Sequence, residues 1–457
     1  MNATTDRPVD RTVDLAARPV DGYIDDFAAF ITASPSSYHA AEEVARRLDA
    51  AGFTRLDEAE AWPTGAGRRY VVRDGAVIAW IQPAGCTPTT PFRILGAHTD
   101  SPGFKLKPKP TIESHGWLQA GVEVYGGPLL NSWLDRELEL AGRLVTRDGE
   151  THLVRTGPYL RIPQLAIHLD REVNDGLKLD RQRHLQPVFG VGDSSEADLV
   201  GHLAALAGVA AADVAGYDIL TADTAPPTRF GQNGALFAAG RMDNLTSVHA
   251  GLLALLADTT SAAPNDAVSG DAAAGGTPES RHISVLAAFD HEELGSESRS
   301  GASGPLLSDI LTRISGNLGA TPSEQLQAYA ASWCLSADAG HSVHPNYSER
   351  HDPTNRPVAG GGPLLKINAN QRYATDAVGA ALWARACERA GVVAQEFVSN
   401  NTVPCGSTIG PLTATRLGIR TLDVGVPLLS MHSARELCHV NDPFALSAAI
   451  EAFFAGA

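Results

Sequence analysis

Residues 92–100 of the chain are Phe-Arg-Ile-Leu-Gly-Ala-His-Thr-Asp, an apolar run that ends in a histidine and an aspartate. The run predicts a buried strand. Similar apolar runs occur at residues 281–289, 332–337 and 420–424, and helical patterns occur at 244–257, 376–390 and 443–454. Strands that alternate with helices predict an α/β fold, in which a mostly parallel sheet carries helices on both faces in three layers.

The chain on either side of this run divides into two kinds of pattern. Helical patterns at residues 23–31 and 38–51 precede strand patterns at 69–81. Residues 102–230 consist instead of short apolar runs separated by turns, with a helical pattern only at 196–211. We therefore predict a discontinuous catalytic domain of residues 1–100 and 240–457, with an inserted β-rich domain of residues 101–239.

Two short segments carry low-complexity patterns. Residues 261–279 are rich in alanine, glycine, proline and aspartate without periodicity, and they predict a mobile surface loop. The glycines at 360–362 lack the Lys-Ser/Thr ending of a phosphate loop, so we interpret them as a flexible linker.

Composition and charge narrow the partners. The chain has 457 residues, of which 44% are hydrophobic, and this length predicts two or three domains. With 36 basic and 52 acidic residues its net charge is −16, which argues against nucleic acid and anionic membranes as partners. No apolar run approaches a membrane span, and the N-terminus lacks the apolar segment of a secretory signal. Five cysteines without metal-finger spacing predict reduced thiols, so we expect a cytoplasmic protein.

Several strand patterns end in side chains that can bind metal. His98 closes the first strand, Glu292 and Glu293 follow the strand at 285–289, and Asp338 follows the strand at 333–337. His432 lies in the loop after residues 421–424, and Asp243 precedes a helix. Because ligands bind beyond the carboxyl ends of the strands in open α/β sheets, we expect these side chains to converge.

The residue types suit a pair of metal ions. Two imidazoles and three carboxylates without a thiolate fit zinc, manganese or cobalt, and two ions require a bridging carboxylate. Of the adjacent Glu292 and Glu293, one can bind metal while the other accepts a proton from a metal-bound water. Alone, Asp243 would be explained as a helix cap, Asp338 as a turn residue and His432 as a surface histidine. Their matching positions favour a metal site.

A serine or cysteine nucleophile has weaker support. Ser430 and Ser433 flank His432, but the chain contains no G-x-S-x-G elbow. Cys405 lies in a glycine-rich turn and is better explained as an idle thiol.

Ten stretches of the chain match those of one known family, and they occur in that family's order along most of the chain. They are residues 34–40 (SPSSYHA), 97–102 (AHTDSP), 131–136 (NSWLDR), 161–169 (RIPQLAIHL), 240–244 (GRMDN), 291–296 (HEELGS), 336–341 (SADAGH), 344–347 (HPNY), 366–375 (KINANQRYAT) and 430–436 (SMHSARE). Through them the chain resembles the aspartyl aminopeptidase family of dinuclear zinc exopeptidases.

The resemblance implies a role for each matched residue. One Zn²⁺ would bind His98 and Asp338, the other would bind Glu293 and His432, and Asp243 would bridge them. Glu292 would be the general base. Substrate contacts would come from four residues: His168, His341, Lys366 and Tyr373.

The resemblance also implies an assembly. The inserted β-rich domain would mediate dimerisation, and dimers would form a homo-oligomer, a tetrahedral dodecamer that encloses a chamber. His168 lies in the insert and would reach the site of a neighbouring subunit.

The expected reaction is the hydrolytic removal of an acidic residue from the N-terminus of short peptides, with aspartate preferred to glutamate. Glu292 would take a proton from a water bridged by the metal ions, and His341 or Tyr373 would help a metal to stabilise the oxyanion. Preference for an acidic residue requires a cation, for which Lys366 is the first candidate and Arg372 the second. The ligand set alone also allows a carboxypeptidase, a deacylase or an aminopeptidase of broad specificity. A shell-forming protein with a vestigial site is the alternative outside the enzymes.

Overall fold

The computed structural model of the chain describes residues 20–258 and 282–457. The loop predicted at 261–279 lies outside the described residues. The helices are α1 Val20–Ala33, α2 Ser37–Ala50, α3 Leu199–Ala207, α4 Met242–Ala257, α5 Leu306–Asn317, α6 Pro322–Ala331, α7 Ala377–Ala390, α8 Ile409–Leu417 and α9 Asn441–Phe454. The strands are β1 Thr54–Arg55, β2 Gly67–Arg73, β3 Ala76–Gln82, β4 Phe92–His98, β5 Gly103–Ser114, β6 Trp117–Tyr125, β7 Leu138–Thr146, β8 Thr151–Arg155, β9 Val188–Val191, β10 Val214–Asp223, β11 Thr228–Phe230, β12 Leu236–Ala239, β13 Ile283–Phe289, β14 Trp333–Ala337, β15 Gly340–His341, β16 Leu364–Ile367, β17 Gln395–Val398, β18 Arg420–Gly425, β19 Pro427–Leu428 and β20 Glu436–His439.

The central sheet has nine strands in the order β1-β2-β3-β13-β4-β14-β18-β16-β17. At its middle, β13, β4, β14 and β18 are parallel neighbours. Only the pairs β2–β3, β3–β13 and β16–β18 are antiparallel among these described strands. The sheet is therefore mostly parallel, which confirms the fold class that the sequence predicts.

Helices cover both faces of this sheet. Along β13, Leu286 and Ala288 point into a core shared with α1, α2, α4, α7 and α9. Val285 and Ala287 point into a second core, shared with α5, α6 and α8. Because successive side chains of a strand face opposite sides, a strand buried in this way is apolar throughout.

A second sheet has six strands in the order β8-β7-β10-β5-β6-β9, and all its pairings are antiparallel. It has its own core, in which Phe104, Trp133 and Leu140 pack together and α3 contributes Leu203. The strands β11 and β12 form a separate small sheet with β20. Within residues 20–258 and 282–457, no helix combines the length and the apolar character that crossing a bilayer requires.

The glycines at 360–362 do not form a free linker, and that interpretation is wrong. The backbone N–H groups of Gly360 and Gly362 donate to the carboxylate of Asp442, at 2.9 and 3.0 Å. Asp442 is fully buried in the first turn of α9. Two hydrogen bonds to a buried charged acceptor fix the segment that leads into β16.

Close packing of α4 on the central sheet predicts the effect of one substitution. Gly251→Ala places a Cβ 1.9 Å from Leu95 Cδ2 and 3.0 Å from Leu286 Cδ1, both in the core. Although alanine is favoured over glycine in helices, we expect overpacking to lower the free energy of unfolding by about 1–3 kcal/mol in urea titrations. Gly316→Ala is the matched control, since nothing lies within 4 Å of its Cβ on the exposed side of α5. It should leave stability unchanged or raise it by up to about 1 kcal/mol. Equal unfolding curves for Gly251→Ala and the parent would contradict this packing.

Candidate metal centre

Side chains with metal-binding groups meet at one edge of the central sheet. His98 is the last residue of β4 and pairs with Phe289, the last residue of β13. Asp338 follows β14, and its N–H donates to the carbonyl of Val424 in β18. These strands are parallel, so their carboxyl ends share an edge. The loop after β13 adds Glu292 and Glu293 there, the start of α4 adds Asp243, and the loop between β19 and β20 adds His432.

Asp243 lies between two groups of donors. Its Oδ1 is 3.3 Å from His98 Nε2, which in turn lies 3.5 Å from Asp338 Oδ1. Its Oδ2 is 3.4 Å from His432 Nε2, which lies 3.4 Å from Glu293 Oε2. The structure thus brings all five predicted ligands together, and one carboxylate faces both groups.

The spacing of these atoms fits bound zinc. Bonds of about 2.0–2.2 Å in tetrahedral directions separate neighbouring donor atoms by about 3.3–3.6 Å, and the four distances above lie within this range. Buried oxygens of Asp243 and Glu293, Oδ1 and Oε1, have no hydrogen-bond partner among the described residues. A cation would satisfy both.

The imidazole rings are turned so that their free nitrogens face carboxylates. His98 Nδ1 donates to the backbone carbonyl of Asp100, and His432 Nδ1 donates to the carbonyl of Gly127, each at 3.0 Å. In the neutral ring the Nε2 atom then carries a lone pair directed at carboxylate oxygens. Only a proton or a metal ion makes this arrangement favourable, and such carbonyl partners are typical of metal-binding histidines.

The pKa shifts in the cluster express the same need for positive charge. Burial raises the pKa of Glu293 well above its usual value, and burial raises that of Glu292 to about 7. Burial opposes protonation of the histidines, but neighbouring carboxylates outweigh it. They hold the pKa of His98 well above normal and raise that of His432 to about 10. Without a metal the cluster retains protons, which a bound cation displaces.

Asp100 organises the loop that carries Glu292 and Glu293, a role that the sequence analysis did not assign. Its Oδ1 accepts from the N–H of Glu292 at 3.0 Å, and its Oδ2 accepts from the N–H of Glu293 at 3.2 Å. Tyr125 of the second sheet donates its hydroxyl to Oδ2 at 3.0 Å. One buried carboxylate therefore positions both glutamates. Its place two residues after His98 was the available signal.

The backbone is unusual beside several of these residues. His291, Arg241 and His432 have positive φ angles of 64°, 60° and 64°. Non-glycine residues in this region of φ/ψ space are strained, and such residues cluster at functional sites. This feature had no signal in the sequence.

Three of the predicted substrate residues lie near the cluster. Lys366 in β16 has its Nζ 3.7 Å from Asp338 Oδ2 and 5.4 Å from the centre of the Tyr373 ring. Tyr373 lines a cavity of about 280 Å³ together with His341 and Cys405. Lys366 is only 2% exposed and donates to the carbonyl of Ala339 at 2.6 Å.

The two remaining candidates are placed differently. His168 is exposed on the segment between β8 and β9, and no described hydrogen bond or ion pair joins it to the cluster. Leu165, Ile167 and Leu169 around it are exposed as well, at 60%, 45% and 74%. Arg372, the second candidate cation, is exposed beside Tyr373.

Comparison with known proteins agrees with this geometry. Residues 30–454 match the sequence model of peptidase M18, described as aminopeptidase I zinc metalloprotease. A Streptomyces avermitilis protein named "Probable M18 family aminopeptidase 2" is 55% identical over 438 residues, which cover 95% of this chain and 98% of that protein. Among solved structures, the Ape4 and Nbr1 complex matches with a TM-score of 0.88 and 33% identity, covering 95% of this chain and 86% of the matched chain. The S. cerevisiae mApe1 dodecamer matches with a TM-score of 0.82 and 28% identity, covering 96% and 97%.

Proposed function

This chain belongs to the peptidase M18 family of zinc-dependent aminopeptidases. We propose that it removes N-terminal acidic residues, aspartate in preference to glutamate, at a site with two metal ions. The observation that carries the proposal is the carboxylate of Asp243. Each of its oxygens faces a separate pair of an imidazole and a carboxylate.

One ion would be held by His98, Asp243 and Asp338, and the other by Asp243, Glu293 and His432. These nitrogen and oxygen donors also accept manganese and cobalt, so the proposal concerns the ligands as well as zinc. When bound, the ions supply a Lewis acid that makes water nucleophilic and polarises the peptide carbonyl.

Glu292 is the proposed base. Its Oε2 lies 4.0 Å from His98 Nε2, near the first group of donors, and its side chain is 17% exposed. It takes the proton from the attacking water and passes the same proton to the nitrogen of the leaving peptide. The hydrogen bond from its backbone N–H to Asp100 Oδ1 holds the residue in place. His341 and Tyr373 line the neighbouring cavity, and their proposed role is to contact the substrate around its carbonyl.

Lys366 is the proposed origin of the preference for acidic residues. An ammonium group has three N–H donors, and one of them is directed at Ala339. Because Lys366 is buried, a substrate carboxylate that reaches it is removed from water, which strengthens the charged hydrogen bond.

Assembly is proposed to complete the site. The exposed apolar segment around His168 suits contact with a second copy of the chain, in which His168 approaches the neighbouring metal site. The six-stranded sheet would then be the dimerisation domain of residues 101–239, and dimers would build the dodecamer. Short peptides as substrates and a cytoplasmic location remain predictions of the sequence.

Replacing the base tests the mechanism. Glu292→Gln should lower turnover of an aspartyl peptide by at least about 100-fold, because no group is left to accept the proton. Metal content, measured by atomic emission, should remain that of the parent. Glu297→Gln is the control, with the same change at an exposed position of the same loop, and it should keep full activity. An active Glu292→Gln variant would contradict the assignment. A parent that binds no metal would instead favour a vestigial site in a shell-forming protein.

Removing the charge of Lys366 tests the specificity. In Lys366→Met, the ratio of kcat/KM for aspartyl and leucyl substrates should fall about 10- to 100-fold, the size expected for a hydrogen bond to a charged group. The ratio is the proper measure, because loss of the lysine beside Asp338 affects both substrates equally. Arg372→Met should leave the ratio unchanged, and a collapse there would make Arg372 the recognising cation. A parent that releases leucine as fast as aspartate would indicate an aminopeptidase of broad specificity.

Mixed assemblies test the contribution of His168. His168→Ala and Glu292→Gln should each be inactive alone. Co-expressed in equal amounts, they should recover about a quarter of the parent's activity, since half of the sites keep Glu292 and half of those meet an intact His168 from the other copy. Co-expression of Glu292→Gln with Asp243→Asn is the control and should recover none if both side chains serve the site of their own chain. Absence of recovery in the first pair would place His168 in its own chain's site, whereas a His168→Ala variant that is active alone would place His168 outside any site.

A further inference from the structure

Glu436 is a buried carboxylate beside the metal cluster that the mechanism above does not use. It is the first residue of β20 and only 2% exposed. Its backbone already pairs with Ala239 of β12. The side chain is therefore free to make contacts that the small sheet does not itself require.

Both oxygens of Glu436 accept hydrogen bonds from the backbone of proposed metal ligands. Oε2 accepts from the N–H of Asp243 at 3.0 Å, and Oε1 accepts from the N–H of His432 at 2.9 Å. These two ligands come from separate segments, the start of α4 and the loop between β19 and β20. Glu436 is a direct link between them.

From this geometry we propose that Glu436 is a positioning residue, which sets the separation of Asp243 and His432 and so builds the metal position shared by Asp243, Glu293 and His432. The inference rests on the proposed two-metal site. The ring of His432 is fixed by Gly127 through Nδ1, and Glu436 fixes its backbone. With Asp243 tied to the same carboxylate, the two donor atoms that face this position have little freedom to move apart.

Only a side chain with two acceptor oxygens at this length can make both contacts. In Glu436→Gln the amide oxygen can accept from one N–H, but the amide NH₂ then faces the other N–H and cannot accept. Glu436→Asp keeps the charge, but it is one methylene shorter and cannot span both backbones. Each variant should release one of the two ligands from its position.

The chain offers a matched control in Asp442. It is equally buried, and its two oxygens also accept from two backbone N–H groups, those of Gly360 and Gly362. It contacts none of the proposed ligands in these hydrogen bonds. Asp442→Asn therefore removes a buried carboxylate with two backbone partners without touching the metal position.

The test measures zinc affinity by competition with a chromogenic chelator, together with the visible spectrum of the cobalt-substituted protein. In Glu436→Gln we expect the zinc ion at the position of Asp243, Glu293 and His432 to bind about 10- to 100-fold more weakly. This is the loss typical of a removed outer-shell partner. The cobalt bands should shift, and excess zinc should restore most of kcat. Asp442→Asn should keep the parent's zinc affinity and cobalt bands. Thermal unfolding of the metal-free proteins shows how much each change costs the fold itself.

The outcomes separate the inference from the proposed function. Parental zinc affinity and cobalt bands in Glu436→Gln would overturn the inference. If that variant does not fold, Glu436→Asp is measured in the same way. Failure of both to fold while Asp442→Asn folds would also overturn it, because the carboxylate would then serve the fold and not the metal position. A parent that binds a single ion would contradict the two-metal site. Glu436→Gln should then weaken the binding of that ion, and an unchanged affinity would overturn the inference.

Discussion

Repulsion among buried carboxylates at one edge of the sheet is the constraint on which the rest of the site depends. Asp243, Glu293 and Asp338 lie with Asp100 and Glu292 around two imidazoles, largely out of water. Such a group of anions is stable only when protons or cations offset its charge. The raised pKa values of both glutamates and both histidines are one answer, in which the cluster retains protons. Bound metal ions would offset the charge instead. The backbone carbonyls that accept from Nδ1 of His98 and His432 leave each Nε2 free to bind metal, which favours metal ions over protons.

The site depends on both large sheets, although its donors all come from outside the second one. Parallel strands of the central sheet deliver His98 and Asp338 to one edge. Strand β6 of the second sheet and the loop that follows it then position two other residues of the site, Asp100 and His432. Tyr125 donates to Asp100, and the carbonyl of Gly127 accepts from His432. Movement of the second sheet against the central one would therefore disturb Asp100 and His432, which would couple the proposed assembly through that sheet to the proposed chemistry.

The sequence could predict whatever depends on a single segment. An apolar strand that ends in a metal-binding side chain is visible as such, so the sheet, its edge and the proposed ligands could be predicted. Contacts between distant segments could not. Asp100 meets the N–H of Glu292 across 192 positions of the chain, and the hydrogen bond from Lys366 to the carbonyl of Ala339 depends on how β16 packs. The helices α5, α6 and α8 were not predicted. The positive φ angles of His291 and His432 were also hidden, because their cost is offset only by the assembled surroundings.

The adjacent glutamates show how a local turn can divide two identical side chains between two proposed roles. Both backbone N–H groups bind the same carboxylate of Asp100, so the start of each side chain is fixed at nearly the same place. From there the side chains diverge. Glu293 reaches His432 and is 4% exposed, whereas Glu292 reaches toward His98 and is 17% exposed. Glu293 Oε1 has no hydrogen-bond partner among the described residues, as is expected of a metal ligand, and the more exposed Glu292 can meet water, as a base must. In the proposed mechanism, environment and not residue type separates the ligand from the base.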